Sequence, residues 1–150
     1  MKKTILIAVN DLSVRKSLGR VLKDAGYEVM EAADGAEAVQ QFKMGQIDLL
    51  LLDISLPMRT GWDAFENITS KAPAFPIIII TGDDNQYDIA VATRVGVLME
   101  KPLDVNRLLK TIQELLAEPA ENRSRRLSGY SQNVRFVPPP PPSVRPKLHG

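Results

Sequence analysis

The sequence contains no cysteine, a single histidine and few aromatic residues, and these shortages exclude several classes of function. Without cysteine there is no disulfide framework, no thiol nucleophile and no thiolate metal site. The one histidine, His149, is the next-to-last residue, so we expect neither histidine-based catalysis nor a zinc site. No hydrophobic run approaches the roughly 20 residues that cross a bilayer, and the first apolar stretch stops at Asn10, too early for a signal peptide. We therefore expect a cytoplasmic protein.

Charge and proline divide the chain into two parts. Residues 1–118 hold 13 Lys and Arg against 17 Asp and Glu, whereas residues 119–150 hold 6 against 1. Seven of the 11 prolines follow residue 118, five of them in the run Pro138–Pro142. We predict an acidic domain over residues 1–118 and a basic, proline-rich, disordered tail over residues 119–150. The alternative is a tail that folds onto the acidic domain or binds an acidic partner.

Short apolar runs alternate with segments of helical period along residues 1–118. Continuous runs of Ile, Leu and Val are typical of strands covered on both faces, as in a parallel sheet. The predicted strands are Thr4–Val9, Tyr27–Ala32 at an edge, Ile47–Asp53, Ile77–Thr81 and Val97–Glu100. The residues that can cap the intervening helices are Ser13, Asp34, Thr60, Asp83 or Asp84, and Asp104. Five successive βα units predict an α/β fold with right-handed crossovers and a parallel sheet.

In such a sheet, chemistry collects outside the carboxyl ends of the strands. Three polar residues lie at such strand ends: Asp53 ends the third strand, Thr81 ends the fourth, and Lys101 follows the fifth. Singly, each is more simply explained as a loop or surface residue, but the fold brings all three to one crevice.

These three side chains suit phosphoryl transfer to a carboxylate. Asp53 would be the nucleophile and would form an acyl phosphate. Because an anion then attacks an anionic phosphoryl group, positive charge is needed, which Lys101 and Mg²⁺ would supply while Thr81 donates a hydrogen bond. The set is typical of a phosphate acceptor.

Several segments in order resemble the receiver domain of bacterial two-component response regulators, over residues 4–118. The first strand and its helix match in the stretch from Ile5 to Arg15, and the acceptor strand and loop match in the stretch from Asp48 to Gly61. The stretch Ile77–Gly82 resembles the switch-threonine segment, and Met99–Leu103 resembles the lysine-proline segment.

The resemblance implies a flavodoxin-like, doubly wound (βα)5 sheet with strand order 2-1-3-4-5. It implies that Asp53 is phosphorylated, that Thr81 is the switch hydroxyl, and that Lys101 binds the phosphate beside a cis peptide bond to Pro102. The metal ligands would be Asp53, Asn10, Asp11 and the main-chain carbonyl of Ser55.

The resemblance also implies partners: a histidine kinase or phosphotransfer protein upstream, and a protein target at the face formed by the fourth helix, fifth strand and fifth helix. No DNA-binding or catalytic module follows residue 118, so we expect a stand-alone receiver that signals by docking and is not an enzyme, beyond slow self-dephosphorylation. The tail contains three clustered arginines, Arg123, Arg125 and Arg126, but no aromatic residues accompany them as a platform for bases. We therefore do not expect nucleic acid as a partner. A membrane is not an expected partner either.

The sequence departs from the family at the end of the first strand. The two acidic residues usual there are replaced by Val9 and Asn10, and acid comes only at Asp11. Each lost carboxylate removes on the order of 1–4 kcal/mol of attraction for a dication. We expect a weakened Mg²⁺ site and slow phosphorylation by small phosphodonors, unless Asp11 turns inward.

A second departure lies in the fifth strand. The family commonly has Tyr or Phe three residues before the lysine, and this chain has Leu98. A leucine fills an apolar pocket but cannot signal by a ring flip. Coupling between Thr81 and the output face is therefore expected to differ.

Two further hypotheses compete with the hypothesis of a phosphorylated receiver. One is a pseudo-receiver adaptor that binds partners without phosphorylation, because Val9 and Asn10 replace the acidic pair. The other is a phosphatase of the haloacid dehalogenase type, which needs a general acid where this chain has Ser55. Dinucleotide binding is disfavoured because no Gly-x-Gly-x-x-Gly follows the first strand.

Overall fold

A parallel sheet with helices on both faces forms the domain. The computed structural model describes residues 2–43, 45–54, 60–82, 97–117 and 135–137. Its elements in chain order are β1 (Thr4–Ala8), α1 (Leu12–Asp24), β2 (Glu28–Ala32), α2 (Gly35–Lys43), β3 (Leu49–Asp53), α3 (Thr60–Lys71), β4 (Ile77–Thr81), β5 (Val97–Glu100), α4 (Val105–Ala117) and β6 (Arg135–Val137). The predicted helix after Asp83 or Asp84 lies outside the described residues. None of the described helices is long and apolar enough to cross a membrane.

The strand order of the described residues is β2-β1-β3-β4-β5-β6, with every pair parallel. The predicted order 2-1-3-4-5 is confirmed, and β2 is an edge strand as its alternating sequence predicts. The sixth strand corrects the expectation of disorder for Arg135–Val137, which pair with Val97–Met99 of β5. These three residues were missed because the surrounding tail lacks the periodic apolar residues from which strands are predicted.

Two apolar layers cover the sheet. Leu50, Leu52 and Ile79 face the layer shared with α2 and α3, where Ile68 is fully buried. The alternate residues of the same strands face the layer shared with α1 and α4. Both faces of β3 and β4 are buried throughout, because alternate side chains of a strand point to opposite faces and a parallel sheet is covered on both.

Helix caps fix where each helix begins, and one prediction was wrong. Asp11, not Ser13, is the N-cap of α1, and its Oδ1 accepts from the Val14 N–H at 3.1 Å. The predicted Asp34 cap of α2 is confirmed, since Asp34 Oδ1 accepts from the Glu37 N–H at 2.8 Å. The Asp104 cap of α4 is confirmed in the same way, at 3.2 Å from the Arg107 N–H. The α1 cap places a carboxylate at the carboxyl end of β1.

Candidate functional site

The carboxyl ends of β3, β4 and β5 bring together the three residues predicted to form the site. In the register of these strands, Asp53 lies opposite Ile80, and Thr81 lies opposite Glu100. Lys101 is the first residue after β5, and its N–H donates to the Thr81 carbonyl at 2.7 Å. Adjacent strands lie about 4.8 Å apart, so sheet pairing alone places these residues at one edge.

Asp53 and Lys101 are in direct contact. The Lys101 Nζ donates to Asp53 Oδ2 at 2.6 Å, although the two residues are 48 positions apart in sequence. Asp53 is buried, with 3% of its surface exposed, whereas the Lys101 side chain is 39% exposed. The contact therefore balances a buried negative charge with an ammonium group that reaches solvent.

Thr81 is also buried, with 2% of its surface exposed. The peptide bond between Lys101 and Pro102 is cis, as the resemblance implies. The main-chain bond from Lys101 to Thr81 ties the end of β5 to the end of β4. The hydroxyl-bearing residue and the ammonium-bearing residue are thereby held on adjacent positions at the sheet edge.

A cleft of about 440 Å³ opens beside Asp53. Its lining combines the ion pair with an apolar wall. The lining residues are Val9, Asp11, Val14, Leu18, Asp53, Ile80, Gly82, Lys101, Pro102 and Leu103. A tetrahedral anion in this cleft would meet the Lys101 ammonium on one side and apolar side chains on the other.

The end of β1 contributes little negative charge to the cleft. Val9 is 1% exposed and belongs to the apolar layer beneath α1 and α4. Asn10 is exposed and is not among the residues that line the cleft. Asp11 does line it, but one of its carboxylate oxygens already caps α1.

These residues do not fit a tight magnesium site. Mg²⁺ binds through carboxylates and other oxygen ligands in near-ideal octahedral geometry, and the described part of the chain holds no group of three or more His, Asp or Glu side chains that could bind a metal ion. The Lys101 ammonium already holds Asp53, and the helix terminus holds Asp11. Ser55, the predicted main-chain ligand, lies outside the described residues.

Arg15, Lys16 and Glu31 form a charged cluster that supports the turn after β1. The sequence pattern predicts no role for this cluster. The Arg15 Nη1 donates to the Val9 carbonyl at 2.7 Å and approaches the Asn10 carbonyl at 3.4 Å. Its Nε donates to Glu31 Oε1 at 3.0 Å, and the Lys16 Nζ lies 3.0 Å from Glu31 Oε2. Arg15 was part of the segment that resembles the family, but spacing alone did not show that its side chain turns back to the main chain of β1.

Glu31 is expected to stabilise the fold only while it is ionised. Partial burial raises its pKa, but the hydrogen bonds and charges of Lys16 and Arg15 outweigh burial, so the pKa lies below its usual value of 4.5. A lowered folded-state pKa means that the stabilisation is present above the unfolded-state pKa and is lost as pH falls through the folded-state value.

We therefore predict that Glu31→Gln lowers the free energy of unfolding by about 1 kcal/mol at neutral pH, and that the difference shrinks as pH falls through the lowered pKa of Glu31. Urea unfolding over a series of pH values from neutral into acid measures it. Glu28→Gln is the matched control, because Glu28 is exposed on the same strand. An equal loss in both variants, or a loss that persists in acid, would contradict the prediction.

Gly61 lies against the main chain of Asp53 and Ile54. A Cβ at this position would lie 2.6 Å from the Ile54 Cα and 2.8 Å from the Asp53 carbonyl oxygen. Only glycine lets the first turn of α3 approach this backbone. Gly61 was included in the segment that resembles the family, but the contact depends on tertiary packing that the sequence does not show.

Gly61→Ala is accordingly expected to cost about 1–3 kcal/mol of stability, because backbone atoms must move to admit the methyl group. Gly82→Ala is the control: its Cβ would meet nothing within 4 Å, and its stability should change little. The thermal unfolding midpoints of both variants and of the wild type measure this difference in stability. Equal stability of the two variants would show that the α3 contact relaxes freely.

Comparison with known proteins places the chain in a family. Residues 5–113 match the model of the response regulator receiver domain. The chain therefore belongs to the response regulator receiver domain family, which consists of signalling modules that interact with histidine kinases and phosphotransfer proteins.

Curated relatives include two transcriptional regulatory proteins. The chain is 32% identical to PdtaR of Mycobacterium tuberculosis over 114 residues, covering 74% of this chain and 55% of that protein. It is 29% identical over 137 residues to the alkaline phosphatase synthesis regulator PhoP of Bacillus subtilis, covering 86% of this chain and 57% of that protein. The chain thus spans about half the length of these relatives.

Solved structures share the fold over nearly their whole length. A putative response regulator from Chloroflexus aurantiacus aligns with a TM-score of 0.73 and 30% identity, covering 79% of this chain and 100% of that one. The response regulator TrrA from Thermotoga maritima, solved in complex with Mg(2+)-BeF, aligns with a TM-score of 0.69 and 25% identity, covering 77% and 99%. These similarities agree with the strand order observed here.

Proposed function

We propose that the domain accepts a phosphoryl group on Asp53 from a histidine kinase or phosphotransfer protein and passes the signal on by docking to another protein. The observation that supports this most directly is the 2.6 Å contact between the Lys101 ammonium and the buried Asp53 carboxylate. A buried carboxylate in contact with a half-exposed cation, at the edge of a cleft, can react with an anionic donor. The cation then offsets the charge that arrives.

The transfer is a single displacement at phosphorus. A carboxylate oxygen of Asp53 forms the new P–O bond while the bond from phosphorus to the donor's imidazole nitrogen breaks. The departing imidazole nitrogen keeps the electron pair of that bond and takes up one proton from solvent. Asp53 becomes an acyl phosphate, and nothing besides the phosphoryl donor and that proton is consumed.

Lys101 and Thr81 have distinct tasks in this proposal. The Lys101 ammonium neutralises charge on the phosphoryl oxygens, and the Thr81 hydroxyl donates a hydrogen bond to one of them. Thr81 ends β4, and its carbonyl accepts a main-chain hydrogen bond from Lys101, the first residue after β5. A shift of either residue is therefore transmitted to β5. The domain acts as an acceptor and switch, not as an enzyme with a turned-over substrate.

The face proposed to meet the downstream target includes β5 and α4. Leu98 is fully buried in the layer shared with α2 and α3, so no aromatic ring at this position can move between exposed and buried states. The change at the output face is therefore proposed to come from displacement of β5, to which Lys101 is directly attached. Magnesium, if it assists, does so from a weak site.

A second function, a pseudo-receiver adaptor, is favoured by the end of β1. Val9 is buried, Asn10 is exposed, and the Asp11 carboxylate caps α1. With so little acidic charge at the cleft, the Asp53–Lys101 pair could be a permanent structural contact. The domain would then bind its partner in a fixed conformation.

Phosphorylation of the full chain distinguishes the two functions. The protein is incubated with Mg²⁺ and acetyl phosphate, and separately with a panel of phosphorylated histidine kinases, and intact mass and Phos-tag mobility are recorded. The acceptor function requires one phosphoryl group on the wild type and none on Asp53→Asn. Asp63→Asn, an exposed carboxyl in the first turn of α3, is the control and should behave as the wild type.

Failure of every donor to modify the wild type, together with modification of Asn10→Asp, would establish the adaptor function instead. Modification of Asp53→Asn to the wild-type extent would reject Asp53 as the acceptor.

A further inference from the structure

The tail strand β6 pairs with the edge of β5, the last strand of the receiver sheet. Its three residues pair in parallel with β5, with Val97 opposite Arg135, Leu98 opposite Phe136 and Met99 opposite Val137. This position agrees with the order of elements along the chain. A helix that follows a parallel strand returns the chain to the amino end of the sheet, so a strand placed next to β5 continues the βα pattern.

Without β6, strand β5 would end the described sheet. Its residues Val97, Leu98 and Met99 are at most 1% exposed, so the strand is apolar on both faces. An apolar edge strand presents unpaired N–H and C=O groups and is a template for pairing with another chain. Proteins usually block such an edge with charge, proline or a covering segment.

The tail sequence supplies two of these devices. β6 begins with a charged residue, Arg135, and is followed at once by the run Pro138–Pro142. Proline has no N–H with which to continue a ladder, and the described strand β6 is three residues long. These three residues cover the edge of the four-residue strand β5 from Val97 to Met99.

We propose that Arg135–Val137 is an intramolecular cap of the β5 edge, which prevents β5 from pairing with a strand of a second copy of this chain. The occupant is the chain's own tail, and the excluded partner is the same edge of another molecule. Two uncapped β5 edges can pair across a two-fold axis and join two sheets into one. The proposal does not depend on phosphorylation of Asp53.

The test compares two substitutions at one position in the full chain. Phe136→Pro places a proline, which has no N–H and is poorly tolerated inside a strand, at the centre of β6, whereas Phe136→Val keeps a residue that favours strands. Hydrogen exchange by mass spectrometry reads the amides of Val97–Glu100, and sedimentation velocity over a range of concentrations reads the oligomeric state. Exchange in β1 reports whether the core stays folded.

For Phe136→Pro we expect exchange in β5 about tenfold or more faster than in the wild type, unchanged exchange in β1, and a dimer that grows with concentration. Phe136→Val should match a monomeric wild type. Unchanged β5 exchange in Phe136→Pro would overturn the proposal, because β6 would then not protect the edge. Faster exchange in a protein that stays monomeric would overturn it too, as would a wild type that associates to the same extent. Should Phe136→Pro also expose β1, Val137→Pro is measured in its place against the same outcomes.

Discussion

Asn10→Asp is expected to raise the affinity of the domain for Mg²⁺ by more than tenfold. Asn10 ends the turn after β1, is exposed, and has its main-chain carbonyl near the Arg15 guanidinium. An aspartate here adds one carboxylate between Val9 and Asp11, which both line the cleft, without entering the apolar core. A unit of negative charge a few ångströms from a dication contributes on the order of 1–4 kcal/mol, and 1.4 kcal/mol is tenfold in affinity.

Isothermal titration calorimetry with Mg²⁺ alone measures this change in the full chain. Val9→Asp is the informative comparison, because Val9 is buried in the layer beneath α1 and α4. A carboxylate placed there without a partner costs stability, so Val9→Asp should destabilise the protein in the absence of metal whereas Asn10→Asp should not. Equal Mg²⁺ affinity in the wild type and Asn10→Asp would show that charge at the end of β1 does not limit metal binding.

Lys101→Met is expected to slow phosphorylation of Asp53 by about two to three orders of magnitude. The substitution keeps the length and apolar stem of the side chain but removes the ammonium 2.6 Å from Asp53 Oδ2. Loss of one preorganised donor to a developing charge costs about 100- to 1000-fold in rate. The initial rate of phosphoryl incorporation from acetyl phosphate, with saturating Mg²⁺, is the measurement.

The same variant should also lose stability, by about 1–3 kcal/mol, because the buried Asp53 carboxylate loses its hydrogen bond to the Lys101 ammonium. Lys110→Met is the control, since Lys110 is exposed on α4 and its loss should leave both properties unchanged. Lys101→Arg keeps the charge but not the compact ammonium, and should recover part of the rate. A rate for Lys101→Met within twofold of the wild type would remove Lys101 from the proposed mechanism.

The strands and the placement of the candidate site residues at one sheet edge could be predicted from sequence because both follow from local patterns. Each central strand is a continuous apolar run, and Asp53 and Thr81 are the polar residues at which two of these runs stop. Their meeting at one edge follows from the parallel sheet alone. The contact with Lys101 required only that β5 lie next to β4, which the βα alternation indicates.

The features that sequence could not supply depend on contacts between distant segments. The close approach of Gly61 to the Asp53 main chain and the return of Arg15 to the Val9 carbonyl arise only when helices dock on the sheet. Asp11 and Ser13 both have side chains that can cap α1, and the choice of Asp11 is settled by where the β1 backbone ends. The strand Arg135–Val137 could not be predicted because three residues are too few to show a hydrophobic periodicity.

The 48-residue separation between Asp53 and Lys101 has a consequence for biosynthesis. A ribosome that has just released the Asp53 segment has made the carboxylate but not its counter-ion, and the sheet between them is incomplete. The Asp53–Lys101 pocket exists only after β4 and β5 have been translated and have docked in register. Under the proposed function, a kinase that requires this pocket would therefore not phosphorylate nascent or misfolded copies of the chain.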